Sequence, residues 1–345
     1  MRLRLVIVAV FVSAAAVPGL LAYGAGVLPV GSSPADGSGV ASHEFRVTSL
    51  AWPERPLGLG AAGSVVVWEQ RDDNAALAGL WAYDVRTQRA HRILGKRGTG
   101  IATGFPSVAG GTLVWATRPA AGGHGPLSVQ GLDTQTGRRW TVAERGRNPS
   151  IGYNTIVWVE RGRGAARGDD AVCGQNTLTD EEFTTAGEGR VLDVRAAGTC
   201  VVWLAESAGT TSLWQWSYRG HKPAVLATGA AAVAVNTRRV VWASATTPQS
   251  STLSSWNRNN RRTMTLCTVP GAVSALFLGD GVATFVVTDA SGDGDIWAYD
   301  FGRGVAVAVS PHGGRQANPV LVGGTVFWAD RRSGQWELYG RSLQP

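Results

Sequence analysis

The chain contains little lysine and little cysteine, and it lacks the short motifs that mark several common catalytic sites. Lysine occurs only at Lys96 and Lys222, so arginine supplies nearly all of the positive charge behind the net charge of +7. No H-E-x-x-H, G-x-S-x-G or C-x-x-C sequence is present. These absences exclude the local signatures of zinc proteases, α/β-hydrolases and dithiol oxidoreductases. They leave open an enzyme that gathers its catalytic residues from distant parts of the chain.

The three cysteines, Cys173, Cys200 and Cys267, are an odd number at spacings that match no disulfide framework. We interpret them mainly as buried small apolar residues. A single bridge between Cys173 and Cys200, which lie in neighbouring repeats, is the alternative, because an exported chain permits disulfides.

The arginines are spread along the chain, and clusters such as Arg258 with Arg261 and Arg262 are short. A scattered basic composition indicates a charged surface more than a nucleic-acid partner, and we expect no nucleic acid to bind. A weaker alternative is that a basic face of the protein docks on anionic lipid or on a cell-wall polymer.

The first thirty residues predict an export signal or a membrane anchor. Arg2 and Arg4 precede an apolar run over residues 5–21, a pattern typical of a signal peptide. The run is also near the length that spans a bilayer, so an uncleaved membrane tether through residues 5–21 is the alternative. The positive-inside rule places the rest of the chain outside in either case. Residues 31–44, rich in Gly, Ser and Pro, indicate a flexible linker.

After the N-terminus, no segment of 10–15 residues shows a helical period, which favours an all-β protein. Instead, a run of β-branched residues that ends in an aromatic residue recurs at steps of 39 to 47 residues. The aromatic positions are Trp68, Trp115, Trp158, Trp203, Trp242, Phe285 and Trp328. A period of this size with strand-type chemistry predicts propeller blades, and we expect these aromatics to pack between blades.

Each repeat predicts four short strands joined by tight turns, and residues 45–345 hold seven such units. The last repeat supplies only three strands before the sequence ends. We therefore expect a strand at residues 45–50 to complete that blade and to close the ring. The predicted fold is an all-β propeller of seven four-stranded blades. Six blades are the alternative, if the weakly patterned third unit merges with a neighbour.

The pattern Pro-x-hydrophobic, hydrophobic-hydrophobic-Trp-Ala-Asp, polar turn and aromatic-x-Tyr-Asp resembles the TolB-like β-propeller repeat. Residues 319–339, with Trp328-Ala329-Asp330, and residues 295–300 carry the resemblance best. The resemblance covers residues 45–345 and implies a propeller in the cell envelope that acts mostly as a binding platform. Proteins of this family often have six blades, so seven would be a departure.

One loop matches the spacing of a calcium-binding loop. Side-chain oxygens stand at loop positions 1, 3, 5, 7 and 12, with Gly292 and Gly294 between them. The five candidate ligands are Asp289, Ser291, Asp293, Asp295 and Asp300. Calcium prefers several oxygen ligands on a short flexible segment. Strands flank the loop, however, and Asp and Gly are also what a hairpin turn requires, so a simple turn is the alternative.

These observations predict an exported, monomeric and non-enzymatic propeller that binds an envelope protein or polymer through its loops and channel mouth. No cofactor is expected apart from the possible calcium ion. The alternative is a secreted carbohydrate- or peptide-processing enzyme with its site at the propeller channel.

Overall fold

The computed structural model describes most of the chain after residue 43. The described ranges are 44–49, 58–70, 79–94, 106–117, 126–164, 168–186, 188–217, 222–247, 249–312 and 314–343. The predicted export or anchor segment and most of the predicted linker lie outside them. Every regular element in these ranges is a β-strand, and the strands form seven four-stranded antiparallel sheets. These ranges contain no helix with the length and hydropathy needed to span a bilayer.

Each sheet is one blade, numbered here in chain order. Blade 1 consists of β2 (Leu59–Ala62), β3 (Val65–Gln70), β4 (Gly79–Asp84) and β5 (Arg89–Leu94). Blade 2 consists of β6 (Ser107–Ala109), β7 (Thr112–Thr117), β8 (Ser128–Asp133) and β9 (Arg139–Ala143). Blade 3 consists of β10 (Arg147–Gly152), β11 (Thr155–Arg161), β12 (Asp170–Asn176) and β13 (Glu182–Ala186). Blade 4 consists of β14 (Arg190–Ala197), β15 (Cys200–Ser207), β16 (Thr210–Ser217) and β17 (Ala224–Thr228).

The remaining three blades follow the same order from the innermost strand outwards. Blade 5 consists of β18 (Ala230–Val235), β19 (Arg239–Thr247), β20 (Ser250–Asn257) and β21 (Arg262–Pro270). Blade 6 consists of β22 (Ala272–Leu278), β23 (Val282–Thr288), β24 (Gly294–Asp300) and β25 (Val305–Ser310). Blade 7 consists of β26 (Gln316–Val322), β27 (Thr325–Asp330), β28 (Glu337–Ser342) and β1 (Phe45–Ser49).

The ring closes through β1, which pairs antiparallel with β28 in a register that sets Phe45 opposite Gly340 and Ser49 opposite Glu337. The predicted closure by residues 45–50 is therefore confirmed, and so are the seven blades. The alternative of six blades is wrong, because the third unit forms its own complete sheet. Its weakly patterned third strand, β12, pairs along its length with β11 and β13.

The core is divided among the contacts between neighbouring blades. Seven hydrophobic clusters occupy these contacts. In each cluster the repeat aromatic of one blade packs on residues of the blade before it. The seven aromatics are Trp68, Trp115, Trp158, Trp203, Trp242, Phe285 and Trp328, each at most 5% exposed. A four-stranded sheet with two apolar faces needs this stacking, because alternate side chains point to opposite faces.

The cysteines lie in these cores as free thiols. Cys173 packs between blades 2 and 3 and Cys200 between blades 4 and 5, so the alternative of a bridge between them is wrong. Burial raises the pKa of Cys173 and of Cys267 to about 11. Both thiols therefore stay protonated at neutral pH, where they are poor nucleophiles.

One face of the propeller carries two turns from each blade, the first between strands one and two and the second after strand three. We call it the turn face. In six blades the residue after the third strand donates its backbone N–H to a carbonyl of the first turn, at 2.8–3.0 Å. The pairs are Val85–Ser64, Thr134–Gly111, Thr177–Asn154, Arg258–Arg238, Phe301–Gly281 and Leu343–Gly324. The opposite face, called the loop face, carries the connections from one blade to the next.

Candidate functional site

The seven innermost strands surround a channel of about 570 Å³. Hydrogen bonds between the neighbouring strands β10 and β14 join start to start and end to end. Asn148 donates to the Leu192 carbonyl near the start of the strands, and Thr155 donates to the Gly198 carbonyl just past their ends. The innermost strands therefore run in the same direction. Their starts open on the loop face and their ends open on the turn face.

The channel lining includes many small side chains. Gly60, Gly152, Ala196, Ala232 and Ala234 are among the lining residues. Gly152 has no room for a larger residue, because an added Cβ would lie 1.9 Å from the Ala196 carbonyl oxygen. The innermost strands also present backbone edges to the channel, and such edges offer N–H and C=O groups to a ligand.

Bulges near the starts of the innermost strands redirect side chains at the loop-face mouth. Ladder irregularities fall between Arg147 and Ser150 and between Ala317 and Val320. Within these bulges Asn148 has a φ of 49° and Asn318 a φ of 53°. Asparagine tolerates the left-handed conformation better than most residues. Bulges are common beside functional sites because they turn a side chain out of the regular alternation.

The channel lining contains an ion pair on β14 and a third charged residue, Asp280. Asp193 and Arg195 stand two residues apart, so their side chains share one face of the strand. Asp193 Oδ2 accepts a hydrogen bond from Arg195 Nε at 3.1 Å, and Asp193 Oδ1 accepts one from the Val194 backbone N–H at 2.9 Å. Both residues line the channel.

Burial raises the pKa of Asp193, and the charge of Arg195 and two hydrogen bonds oppose that rise only in part. The carboxylate side chain is 28% exposed, but this exposure is to the confined space of the channel. Water in a narrow channel solvates a charge less well than bulk water does, so the ionised form is disfavoured. A carboxyl group whose pKa lies closer to neutrality is suited to proton transfer.

We predict that Asp193→Asn makes the protein more stable at pH 7 and leaves its stability unchanged near pH 3. An unfolded aspartate titrates near pH 3.9. Because the folded pKa is raised above that value, the folded state holds more protons in the window between the two. The free energy of unfolding therefore falls as pH rises through that window. Asparagine does not ionise, so the Asp193→Asn variant does not lose stability over this pH window. Thermal midpoints of both proteins at several pH values between 3 and 7 measure the effect.

Asp84→Asn is the matched control. Hydrogen bonds from the backbone N–H groups of Arg86 and Thr87, helped by the charge of Arg86, lower the pKa of Asp84. The free energy of unfolding of the wild type therefore increases as pH rises through the folded pKa of Asp84. Asp84→Asn lacks this increase and should be less stable than the wild type at pH 7. Identical pH profiles for wild type and Asp193→Asn would show that the channel does not perturb Asp193.

The predicted calcium ligands lie in blade 6. Asp289 Oδ1 accepts hydrogen bonds from Ser291 Oγ at 2.6 Å and from the Asp293 N–H at 3.2 Å, which makes a self-capped turn. Asp300 caps a different turn, at the far end of β24, by accepting the Gly302 N–H at 2.7 Å. Burial and the charges of Asp289 and Asp293 raise the pKa of Asp295.

Within the part of the chain that the structure describes, no group of three or more His, Cys, Asp or Glu side chains has the geometry to hold a metal. Calcium binding at Asp289, Ser291, Asp293, Asp295 and Asp300 stays a prediction. A thermal melt with millimolar calcium and with chelator tests it.

Sequence reasoning missed Asp193 and Arg195. A charged pair at spacing two is ordinary in an exposed strand, and nothing local shows that β14 borders a channel. The seven repeat aromatics, in contrast, are absent from the described channel lining.

No protein-family model matches the chain, and no curated protein matches it. Solved structures do. The β-propeller domain of the trilobed protease from Pyrococcus furiosus aligns at a TM-score of 0.63 and 12% identity, over 83% of this chain and 95% of that chain. Acylaminoacyl peptidase from Pyrococcus horikoshii aligns at 0.61 and 9%, over 84% and 52%. Oligogalacturonate lyase from Vibrio parahaemolyticus aligns at 0.61 and 11%, over 87% and 93%.

At these identities the likeness supports the β-propeller fold alone, and the activities remain those of the other proteins. The chain spans about half the length of the acylaminoacyl peptidase. This comparison contradicts the prediction of a non-enzymatic binding platform in the cell envelope, because the similar structures include propellers of peptidases and of a lyase. The alternative, a carbohydrate- or peptide-processing enzyme with its site at the channel, is better supported.

Proposed function

We propose that the chain is an exported enzyme that processes peptides, with its substrate site in the propeller channel. The observation that carries the proposal is the Asp193–Arg195 pair, an ion pair between two residues that line the channel. The resemblance to propellers of a protease, an acylaminoacyl peptidase and a puromycin hydrolase supports peptides over other substrates.

The channel chemistry suits an extended peptide. Strand edges bind extended chains through backbone hydrogen bonds, and the innermost strands present such edges. In hydrolysis, Asp193 would take a proton from water as the water oxygen adds to the peptide carbonyl carbon. Arg195 would stabilise the negative charge that develops on the carbonyl oxygen. As the C–N bond breaks, Asp193 would return the proton to the leaving amine.

The test is cleavage of a defined peptide mixture by the full chain, followed by mass spectrometry. We expect Asp193→Asn to lower the cleavage rate by about 100-fold, the low end of what loss of a general base costs. Asp84→Asn, a carboxylate removed from a turn outside the channel lining, should cleave at the wild-type rate.

Three results would overturn the proposal. Absence of any cleavage by the wild-type chain would show that the proposed peptidase activity is wrong. Full activity of Asp193→Asn would show that Asp193 is not the catalytic base. Cleavage of oligogalacturonate without cleavage of peptides would assign the channel to carbohydrate processing instead.

We also infer that the repeats are of the TolB-like type, which the Pro, Trp-Ala-Asp and Tyr pattern of residues 319–339 supports. Export rests on Arg2, Arg4 and the apolar run over residues 5–21. The length of the secreted product, measured by mass spectrometry, decides between a cleaved signal and a retained anchor.

A further inference from the structure

The turn face of blade 5 carries a concentration of arginine that no other described blade has. Its two turns hold five guanidinium groups and no acidic residue over residues 236–239 and 257–262. The five are Arg238, Arg239, Arg258, Arg261 and Arg262. The Arg258 backbone N–H donates to the Arg238 carbonyl at 2.9 Å, so the two turns are in direct contact. The sequence shows two short clusters, and the fold joins them.

Two of the five arginines have structural roles. Arg258 Nη1 donates to the carbonyls of Asn236 and Thr237 at 3.1 and 2.9 Å, and it also reaches the Ala197 carbonyl of blade 4. The Arg239 guanidinium lies 4.5 Å from the ring centre of Phe301 in blade 6. Both groups hold blade 5 against its neighbours.

The other three, Arg238, Arg261 and Arg262, are exposed. None of them forms an ion pair with an acidic residue in the described ranges. Their charges therefore point to solvent and remain available to an anionic partner. Arg261 has a φ of 57°, so the turn holds it in a defined, sparsely populated conformation.

The path of the chain into the propeller indicates what that partner is. β1 runs antiparallel to β28, and Phe45 stands opposite Gly340. The end of β28 lies at the turn face, because Leu343 donates to the Gly324 carbonyl of the first turn of blade 7. Residue 44 therefore enters blade 7 from the turn face, the face that carries the arginines.

The segment before residue 44 contains the apolar run over residues 5–21, whose length suits a bilayer. About 22 residues of sequence separate this run from β1. The sequence therefore ties a candidate membrane segment to the end of the chain that enters blade 7. Such tethering raises the effective concentration of the arginines at the lipid surface.

We propose that the turn face of blade 5 docks on an anionic lipid surface through Arg238, Arg261 and Arg262. The bilayer attracts these charges because its anionic headgroups complement them. Docking in this orientation leaves the loop-face mouth of the channel open to solvent. The proposal goes beyond the proposed function and does not depend on it, because it concerns a different part of the molecule.

The test mixes the full chain with vesicles that carry a dansyl-labelled lipid. Fluorescence energy transfer from the native tryptophans to the dansyl group measures how close the protein lies to the lipid. Vesicles of phosphatidylcholine alone are compared with vesicles that contain phosphatidylglycerol. We expect transfer to increase with phosphatidylglycerol and the increase to vanish at about 0.5 M NaCl, where screening acts over roughly 4 Å. The variant R238Q/R261Q/R262Q should lose the increase, because three arginines change the docking equilibrium by on the order of 100-fold.

The matched control is R145Q/R190Q/R331Q, which removes three exposed arginines of the loop face and makes the same change in net charge. This control should show the same increase in energy transfer with phosphatidylglycerol as the wild type. Loss of the increase in the control alone would assign docking to the loop face and overturn the proposal. So would the absence of any increase in wild type. Binding to soluble polyglutamate without an increase on vesicles would assign the arginines to an acidic polymer instead.

Discussion

Replacing Arg332 with alanine is expected to lower the free energy of unfolding by about 3–5 kcal/mol, because it leaves a buried carboxylate without its partner. Asp330 is 1% exposed and accepts hydrogen bonds from Arg332 Nε at 3.0 Å and from Trp328 Nε1 at 3.1 Å. Arg332 Nη1 also reaches Glu44 at 2.7 Å, beside the strand that closes the ring. Chemical denaturation monitored by tryptophan fluorescence measures the change.

The electrostatics of Arg332 explain the size of this effect. Burial opposes its charge, yet the hydrogen bonds and charges of Asp330 and Glu44 outweigh burial and raise its pKa. Its guanidinium also lies 4.3 Å from the ring centre of Tyr339. Lysine cannot reproduce this forked and stacked arrangement, so Arg332→Lys should recover little of the lost stability.

The control for Arg332 is Arg163→Ala. Arg163 pairs with Glu160 at 2.8 Å, but its side chain is 60% exposed. Exposed pairs contribute about 0–1 kcal/mol, so this variant should unfold near the wild-type midpoint. Equal losses in the two variants would show that the closure network has no special role.

Replacing Trp203 with alanine is expected to cost about 3–5 kcal/mol as well, through the cavity that it leaves. Trp203 is fully buried between blades 3 and 4, where it packs with Val157 and Val194. Its ring also stacks on Trp214 with 6.0 Å between the ring centres and 3° between the planes. Both the apolar area and the stacking are lost in the alanine variant. Denaturant titration measures the loss.

Trp203→Phe separates packing from hydrogen bonding. The indole Nε1 of Trp203 is buried and has no hydrogen-bond partner in the described structure. Phenylalanine keeps much of the apolar contact and removes that unpaired N–H, so its cost should stay below about 1.5 kcal/mol. A phenylalanine variant as unstable as the alanine variant would contradict the assignment of Trp203 to packing.

The repeat itself could be predicted because its pattern lies within short stretches of sequence. A run such as Thr155-Ile156-Val157-Trp158 is typical of a strand in a sheet buried on both faces, and its recurrence predicts seven blades with six as the alternative. The closing strand could also be predicted, because a three-stranded last blade leaves an open edge beside residues 45–50. These inferences need only chain connectivity and hydrophobic patterning.

The candidate site could not be predicted in this way. The Asp193–Arg195 pair matters because seven separate strands enclose it, and the resulting burial raises the pKa of the carboxyl group. The arginines of blade 5 likewise form one group only in the folded chain. The backbone hydrogen bond from Arg258 to Arg238 joins two clusters that are twenty residues apart. Neither the burial nor the contact has a local signature.

The sequence by itself determined the class of fold and predicted seven blades closed by residues 45–50, because backbone pairing and apolar periodicity act within and between adjacent repeats. The structure excluded six blades, because the third unit forms a complete sheet of its own. Only the tertiary structure decided which polar groups share the channel, which face carries the arginines and from which side the chain enters β1. Those features depend on the register of strands far apart in sequence and on the dielectric environment that their packing creates.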